Sequence, residues 1–501
     1  MSKFYLYVGA YGNQLFVRSI KNGQESIFKT KFCPSLFVKS KSKDTEWKSI
    51  FDDPLDEIQF SDIYDAKDFI KQYSEVSNFE IHGMQNFQYQ YINQNYQGKV
   101  NYSLDDINVQ TLDIETEVDE ELGFPDIVTA NMAINVVTMY DRKQQKAVTF
   151  STLPFDINDL TEEDKKHLNG HATDIRQFSS EVEMLKAFID FWSKNYPGIV
   201  TGWNTSKFDF SYIFNRIARV LSEDWVKKLS PFGIVKSREI EVFGKKVQLF
   251  DIVGVIEADL LECYRKFTYG SQESYSLDYI ASQELGVGKL DYDCSFANFS
   301  RMYPSKFILY NQIDCIRVDQ IDKKMKLVDL LMTITFLAKC NVKDTFGTVK
   351  PWDVFIFNHL ADKKIAVPPH SNKVGGEFEG AWVKESISGM HGWISSFDFA
   401  SLYPTIICQW NISPETFIRD QRESLDVNKV LEIDSNLSEY ALENNLSITA
   451  NGTMYKKHKK GFIPEIITNV MRDRKVAKRE MLTHEQEYEN VKAELKARGI
   501  A

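Results

Sequence analysis

Leu112-Asp113-Ile114-Glu115-Thr116 closes an apolar run that begins at Val109. So short a run of apolar residues reads as a strand. On a strand, residues i and i+2 share a face, so Asp113 and Glu115 project together while Ile114 enters the core. Two carboxylates held side by side repel each other unless a cation sits between them. Oxygen ligands of this kind suit Mg²⁺ or Mn²⁺. Taken alone, the pair also fits a solvated strand edge.

Two later stretches carry the same chemistry. In Thr201-Gly202-Trp203-Asn204, apolar Ile199-Val200 feeds a glycine turn, and Phe208-Asp209-Phe210 then heads a helix through Tyr212-Ile213-Phe214. Asp209 by itself reads as a helix N-cap. Tyr310-Asn311-Gln312-Ile313-Asp314 lies in a segment of helical periodicity, where Tyr310 and Asp314, four apart, share a face. A tyrosine beside a metal-bound carboxylate could orient an attacking water; alone, it could equally pack over its own helix. The three stretches lie about 100 residues apart, in the order D-x-E, N-x₄-D, Y-x₃-D. That order resembles the DEDD exonucleases of RNase-H-like fold, and the tyrosine marks the DEDDy subclass. Phosphodiester hydrolysis needs a nucleophile and a sink for the leaving oxygen's charge. Two cations about 3.5–4 Å apart, held by carboxylates, supply both.

The 501 residues suffice for about three domains. The formal net charge is −11, with 43% apolar and 26% charged residues. That is an ordinary globular composition, without the uniform basic coat of a duplex-binding protein, though local basic grooves remain compatible with it. No stretch reaches 18 apolar residues, so no transmembrane helix is expected, and the start Met1-Ser2-Lys3-Phe4-Tyr5 shows no signal peptide. The six cysteines form no CxxC and read as buried thiols. Residues 1 to about 105 read as short strands, including Tyr5–Val8, Gln14–Arg18 and Ser35–Val38. From 108 to 325, strands and helices alternate: Ile127 through Val137 is strand-like, Ser180–Tyr196 helical, Ile199–Thr201 a buried strand and Glu239–Phe250 a hairpin. Residues 326–370 read as mostly helical. A strand–turn–helix pattern starts at Trp393, and a long helix runs from Pro464, placed as its first residue, to Gly499.

The motifs above, together with Ser274-Tyr-Ser-Leu-Asp-Tyr279, resemble those of the family B DNA polymerases, and most nearly the replicative enzymes of T-even-type bacteriophages. The resemblance implies an α/β and α+β multidomain chain: a β-rich N-terminal domain (1–107 with 327–369), an RNase-H-like 3′–5′ exonuclease (108–326), a partial palm (370–460) and a first fingers helix (461–501). It implies two Mg²⁺ or Mn²⁺ ions at the exonuclease site. Asp113 would bridge both, Glu115 and Asp314 would hold the first, Asp209 the second, and Tyr310 would orient water. Phe124 (in Gly123-Phe124-Pro125), Asn204 and Lys289 would touch DNA, and the 239–250 hairpin would partition strands. Ser396-Phe-Asp-Phe-Ala-Ser-Leu-Tyr-Pro404 matches polymerase motif A. There Asp398 would end a strand and bind catalytic metal. Backbone around Phe399, Ser401 and Leu402 would hold a dNTP, Tyr403 would exclude a 2′-hydroxyl, and Arg474 and Lys478 would grip the triphosphate. Position 399 is Phe where leucine is usual in such phage enzymes.

The family's motifs B and C and its thumb do not occur in these residues. The expected function is therefore a complete proofreading nuclease with half of a nucleotidyl-transfer site, acting on primer-template and single-stranded 3′ ends. A C-terminal polymerase part would complete synthesis, and clamp contact would lie on that part. The setting would be the cytoplasm of an infected host cell, away from membranes. The rival expectation is a non-catalytic DNA-binding scaffold subunit of a replication complex; all four carboxylates being present weighs against it.

Overall fold

The computed structural model describes residues 2–118, 125–168, 170–242, 245–287, 290, 292–369, 383–422, 435–449 and 451–499. The chain divides into two compact units. The first comprises Met1–Ser35, Gln59–Gln72 and Met84–Asn358; the second comprises Leu36–Ile58, Tyr73–Gly83 and His359–Ala501.

The chain starts as an antiparallel meander of β1 (Lys3–Tyr11), β2 (Gln14–Lys21) and β3 (Gln24–Thr30). Short strands β4 (Ser35–Lys39), β5 (Trp47–Lys48) and β6 (Pro54–Gln59) make a small sheet in the order β4-β6-β5. The main sheet has six strands: β7 (Val109–Thr116), β8 (Ile134–Asp141), β9 (Lys146–Ser151), β10 (Ala172–Gln177), β11 (Ile199–Gly202) and, after a hairpin, β14 (Ile256–Asp259). Their order is β10-β9-β8-β7-β11-β14. β8 runs antiparallel to both its neighbours, whereas β7, β11 and β14 are mutually parallel. The hairpin pairs β12 (Val235–Val242) with β13 (Lys245–Ile252), as its alternating sequence predicts; its tip, Phe243-Gly244, lies outside the described residues.

Helices cover both faces of this sheet. Leu112, Ile114, Val137 and Met139 pack against Met184, Phe188 and Trp192 of the helix Glu181–Lys194, and against Ile213 and Phe214 of the helix Asp209–Val220. On the opposite face, Val136 meets Phe307 and Ile308, and Tyr140 meets Ile316, all from the helix Pro304–Met325. Pro304 opens that helix, where its missing N–H costs nothing.

Several local expectations change. Residues 1–105 are not strands throughout: Ile63–Tyr73 and Phe87–Asn95 are helices, the first burying Ile63 and Ala66 and the second Phe87, Tyr89 and Ile92. Residues 127–129 are a turn, and β8 begins only at Ile134. Asp126 closes the turn by accepting from Thr129 N (2.7 Å) and Thr129 Oγ1 (2.8 Å), which competes with strand pairing. The strand expected from Trp393 to Asp398 does not form. Residues 383–399 are exposed, and a strand without a ladder partner leaves its backbone to water. The helix after it spans Leu402–Trp410, from Ser401 at φ 53°. The last helix runs Phe462–Ala497, so Pro464 is its third residue, still within the turn whose N–H groups lack helical partners. No cysteine is paired. Cys263, Cys315 and Cys340 are buried as expected, Cys294 and Cys408 are partly so, and Cys33 is exposed.

A buried arginine joins the N-terminal meander to the main sheet. Arg18 on β2 is 0% exposed; it donates to the carbonyls of Gly254 (2.7 Å), Tyr196 (2.8 Å) and Pro197, and pairs with Glu25 at 2.7 Å. Arg18→Met should strand two buried carbonyls, Gly254 and Pro197, at roughly 1–3 kcal/mol each, and the partly buried Tyr196 carbonyl besides. We expect a loss of about 3 kcal/mol or more in urea unfolding; a loss under about 1 kcal/mol would show that water replaces the guanidinium.

Candidate active site

β7 extends past its parallel neighbour. Its pairing with β11 ends at Thr111 opposite Thr201, while its pairing with β8 continues to Thr116. The free edge beyond Thr111 would leave the Ile114 N–H without a strand partner, and Asp209 Oδ1 accepts it at 3.2 Å. Asp209 is therefore no N-cap: it is the first helical residue, 4% exposed, at an N-terminus that favours negative charge. Gly202 lets this happen. A Cβ there would lie 2.6 Å from Leu112 O and 2.2 Å from Thr205 Cγ2.

Asp113 and Glu115 pair across the ladder with Thr138 and Val136, and so face the helix Pro304–Met325. That helix brings Tyr310 and Asp314 to the same place. It is latched across three strands by consecutive contacts: Asn311 Nδ2 donates to Asp113 Oδ2 (2.6 Å), Gln312 Nε2 to Thr149 Oγ1 (2.9 Å), and Cys315 Sγ to Thr138 O (3.8 Å). Arg317, 3% exposed, stands 3.8 Å from Asp314 and 3.2 Å from Asp278. Asp278 follows Ser276, the N-cap of the helix Leu277–Leu285, so the Ser274–Tyr279 motif reaches the site through Arg317. Trp203 Nε1 donates to Tyr275 O (2.9 Å), tying the same motif to the glycine turn.

The electrostatics follow from this crowding. Burial pushes the Asp113 carboxyl well above its usual range, and Asp209, Glu115 and Asp314 add to the shift. Glu115 is raised by burial, then by Asp314 and Asp209, with Asn311 opposing. Asp209 is pushed up to about 8, mainly by burial, against the Ile114 N–H. Burial and the neighbouring carboxylates hold the Tyr310 phenol far above its ordinary value. The four carboxylates thus act on one another. Their hard oxygens suit Mg²⁺ or Mn²⁺. Among the described residues, no three His, Cys, Asp or Glu side chains close into a ready metal cage.

Asn204 lies in the glycine turn at φ 64°, and its N–H donates to Asp259 Oδ1 at 3.0 Å. Asp259 also accepts from Ser206 N (3.2 Å) and Leu261 N (3.0 Å). Glu257, two residues before, is pushed up to about 8 by burial. Phe124 and Lys289 lie outside the described residues.

The second group of expected residues belongs to the second unit. Asp398, Phe399, Ser401, Leu402 and Tyr403 are exposed on and before the helix Leu402–Trp410. Arg474 and Lys478 are exposed on the helix Phe462–Ala497. The two helices meet at their bases, where Cys408 Sγ lies 3.6 Å from Pro464 O and from Thr468 Oγ1. Asn411 accepts from Gly461 N (2.9 Å), and Glu415 from Phe462 N (2.6 Å). Among the described residues, no hydrogen bond or ion pair joins the 398–403 segment to Arg474 or Lys478.

Asn311, Arg317 and Asp259 were not singled out from sequence. Asn311 stood inside the Y-x₃-D motif and Arg317 three residues after it, a spacing that puts a cation beside Asp314. Asp259 had no local signal.

Comparison with known proteins gives one family twice. Residues 55–280 match the model of the DNA polymerase family B exonuclease domain, and residues 350–496 match that of DNA polymerase family B. The chain is 32% identical to the DNA-directed DNA polymerase of Escherichia phage RB69, over 99% of the chain and 56% of that protein. Identity is also 32% to the DNA-directed DNA polymerase of Enterobacteria phage T4, over 98% of the chain and 55% of that protein. It is 28% identical to a DNA polymerase of Paramecium bursaria Chlorella virus NY2A, over 63% of the chain and 36% of that protein. The chain spans little more than half the length of the phage relatives.

Raised carboxyl pKa values make the metal-free fold sensitive to pH. Asp209 and Glu257 keep protons in the fold that the unfolded chain gives up above about pH 4. Their cost therefore grows as pH rises from there towards their folded values of about 8. In EDTA, the urea midpoint should fall between pH 5 and pH 8, and Asp209→Asn should flatten that fall; a variant as steep as the parent would contradict the assignment.

Proposed function

Because the chain belongs to the family B DNA polymerases, we propose that its first unit is a 3′–5′ exonuclease removing mononucleotides from DNA ends, with Asp113, Glu115, Asp209 and Asp314 as ligands of two divalent cations. The observation that carries this reading is the approach of four acidic side chains from one strand and two helices, near enough to shift one another's protonation. The strand order, with β8 alone reversed among β7, β8, β11 and β14, is the order expected of an RNase-H-like domain. It supports assigning residues 108–326 to that domain.

When bound, Mg²⁺ or Mn²⁺ would neutralise the phosphodiester and stabilise the leaving oxygen. The residues themselves do the rest. Asp113 feels the other three carboxylates, which suits it to bridge two cations. Tyr310 stays a neutral phenol, so it can orient a water through a hydrogen bond but cannot take its proton. Asn204, held at positive φ by Asp259, is a candidate for contact with the terminal nucleotide, as are Phe124 and Lys289.

For the second unit, we infer a contribution to dNTP binding from Asp398, Phe399, Ser401, Leu402, Tyr403, Arg474 and Lys478. A two-metal transfer needs a second carboxylate motif, and we infer that a polymerase part carrying one would be its partner in synthesis. Clamp contact would belong to that part. The phage relatives point to the cytoplasm of an infected host cell as the setting. No helix among the described residues is long and apolar enough to cross a membrane. A non-catalytic scaffold role is disfavoured by the intact carboxylate set.

Asp113→Ala should lower degradation of labelled single-stranded DNA in Mg²⁺ at least ~10³-fold, or roughly 4 kcal/mol in barrier. Tyr310→Phe should lose less, because it removes one hydrogen bond and no ligand. Near-parent activity in Asp113→Ala would sink the nuclease assignment. For the second unit, the purified chain should not extend a primer alone; template-dependent incorporation abolished by Asp398→Ala would overturn that expectation.

A further inference from the structure

Three consecutive contacts latch the helix Pro304–Met325 onto the sheet, and they differ in kind. Gln312 and Cys315 bind a threonine hydroxyl and a backbone carbonyl, groups with no part in the proposed chemistry. Asn311 instead donates to Asp113 Oδ2 at 2.6 Å. Asn311 is 0% exposed, and its own Oδ1 is buried with no hydrogen-bond partner. A side chain kept for helix packing alone would not leave a polar atom stranded in the core, since that costs free energy which an apolar residue of the same shape avoids. What the amide contributes at this position is therefore the donation from its NH₂. It has two N–H groups, enough for two acceptors. The ionised form of Glu115, on the same face of β7, is also favoured by Asn311.

We propose that Asn311 is a positioning residue that fixes the orientation of the Asp113 carboxylate, and through it the affinity of the site for divalent cations. The inference rests on the exonuclease reading of these carboxylates. A neutral donor suits the role: it restrains Asp113 without the charge of a lysine or arginine, which would compete with a cation. Groups that orient metal ligands in this way typically change metal affinity 10–100-fold when removed.

The test compares Asn311→Leu with Gln312→Leu, which breaks the neighbouring latch and touches no carboxylate. Mn²⁺ binding is counted by the electron paramagnetic resonance signal of free Mn²⁺, and the Mg²⁺ dependence of single-strand digestion is titrated. Asn311→Leu should weaken Mn²⁺ binding about 10-fold and raise half-saturating Mg²⁺ about as much, with the rate at saturating Mg²⁺ within about 3-fold of the parent. Gln312→Leu should leave both metal readings unchanged. If Asn311→Leu fails to fold, Asn311→Ser, smaller and still polar, takes its place with the same expectations. Unchanged Mn²⁺ affinity, or equal weakening by Gln312→Leu, would reduce Asn311 to a structural contact and overturn the proposal. Failure of the underlying reading looks different: Asp113→Ala would then digest DNA like the parent.

Discussion

Like charges brought close together in a partly buried recess resist being there, and the first unit is arranged around that resistance. Three of the four carboxylates are held by different neutralising or donating groups, and Glu115 shares the Asn311 amide with Asp113. Asp113 has the Asn311 amide, Asp209 the Ile114 N–H and a helix N-terminus, and Asp314 the Arg317 guanidinium. None of these is strong enough to abolish the repulsion, and Asp113, Glu115 and Asp209 all keep raised pKa values. Divalent cations placed among these oxygens would offset the repulsion that remains.

Sheet geometry makes the convergence possible. β7 outruns β11 on one side while staying paired with β8 on the other, so its last residues offer an open edge to the helix Asp209–Val220 and a full face to the helix Pro304–Met325. Two carboxylates come from strand alternation, one from a helix start and one from a helix middle. No single element could have placed all four. Gly202 is the narrow point, because any side chain there would push the turn away from the Leu112 carbonyl.

Much of this was legible in the sequence, for reasons that can be stated residue by residue. The D-x-E pair on β7 and the Y-x₃-D pair on its helix are local patterns, set by periods of 2 and 3.6, and both appear on the faces their spacing requires. The hairpin and the first two strands of the meander followed from alternation and turn residues, whereas β3 was not singled out. What failed was decided by partners distant in sequence or by competing side chains. Asp126 turned residues 127–129 away from a strand, and the run from Trp393 found no ladder to join. Asp209 has a helix-start position that suggests capping, yet its side chain reaches a strand 95 residues earlier. Arg18 and Asp259 gain their roles only through contacts that no local pattern announces.

The helix Phe462–Ala497 has a mechanical consequence of its own. At 36 residues and about 1.5 Å per residue it is roughly 54 Å long. Its hydrogen bonds to the rest of the second unit are concentrated at its N-terminal end, through Asn411, Glu415 and the Cys408–Thr468 contact. It is therefore a lever whose fulcrum is those few contacts. Arg474 lies about 18 Å along it and Lys478 about 24 Å, so a tilt of about 5° at the base would carry their backbones through arcs of roughly 1.5–2 Å and the far end through about 5 Å. Small changes in how Asn411 and Glu415 hold the first turn are thus amplified in proportion to distance. The two basic residues sit on the part of the lever where that gain matches the scale of a single hydrogen bond made or broken.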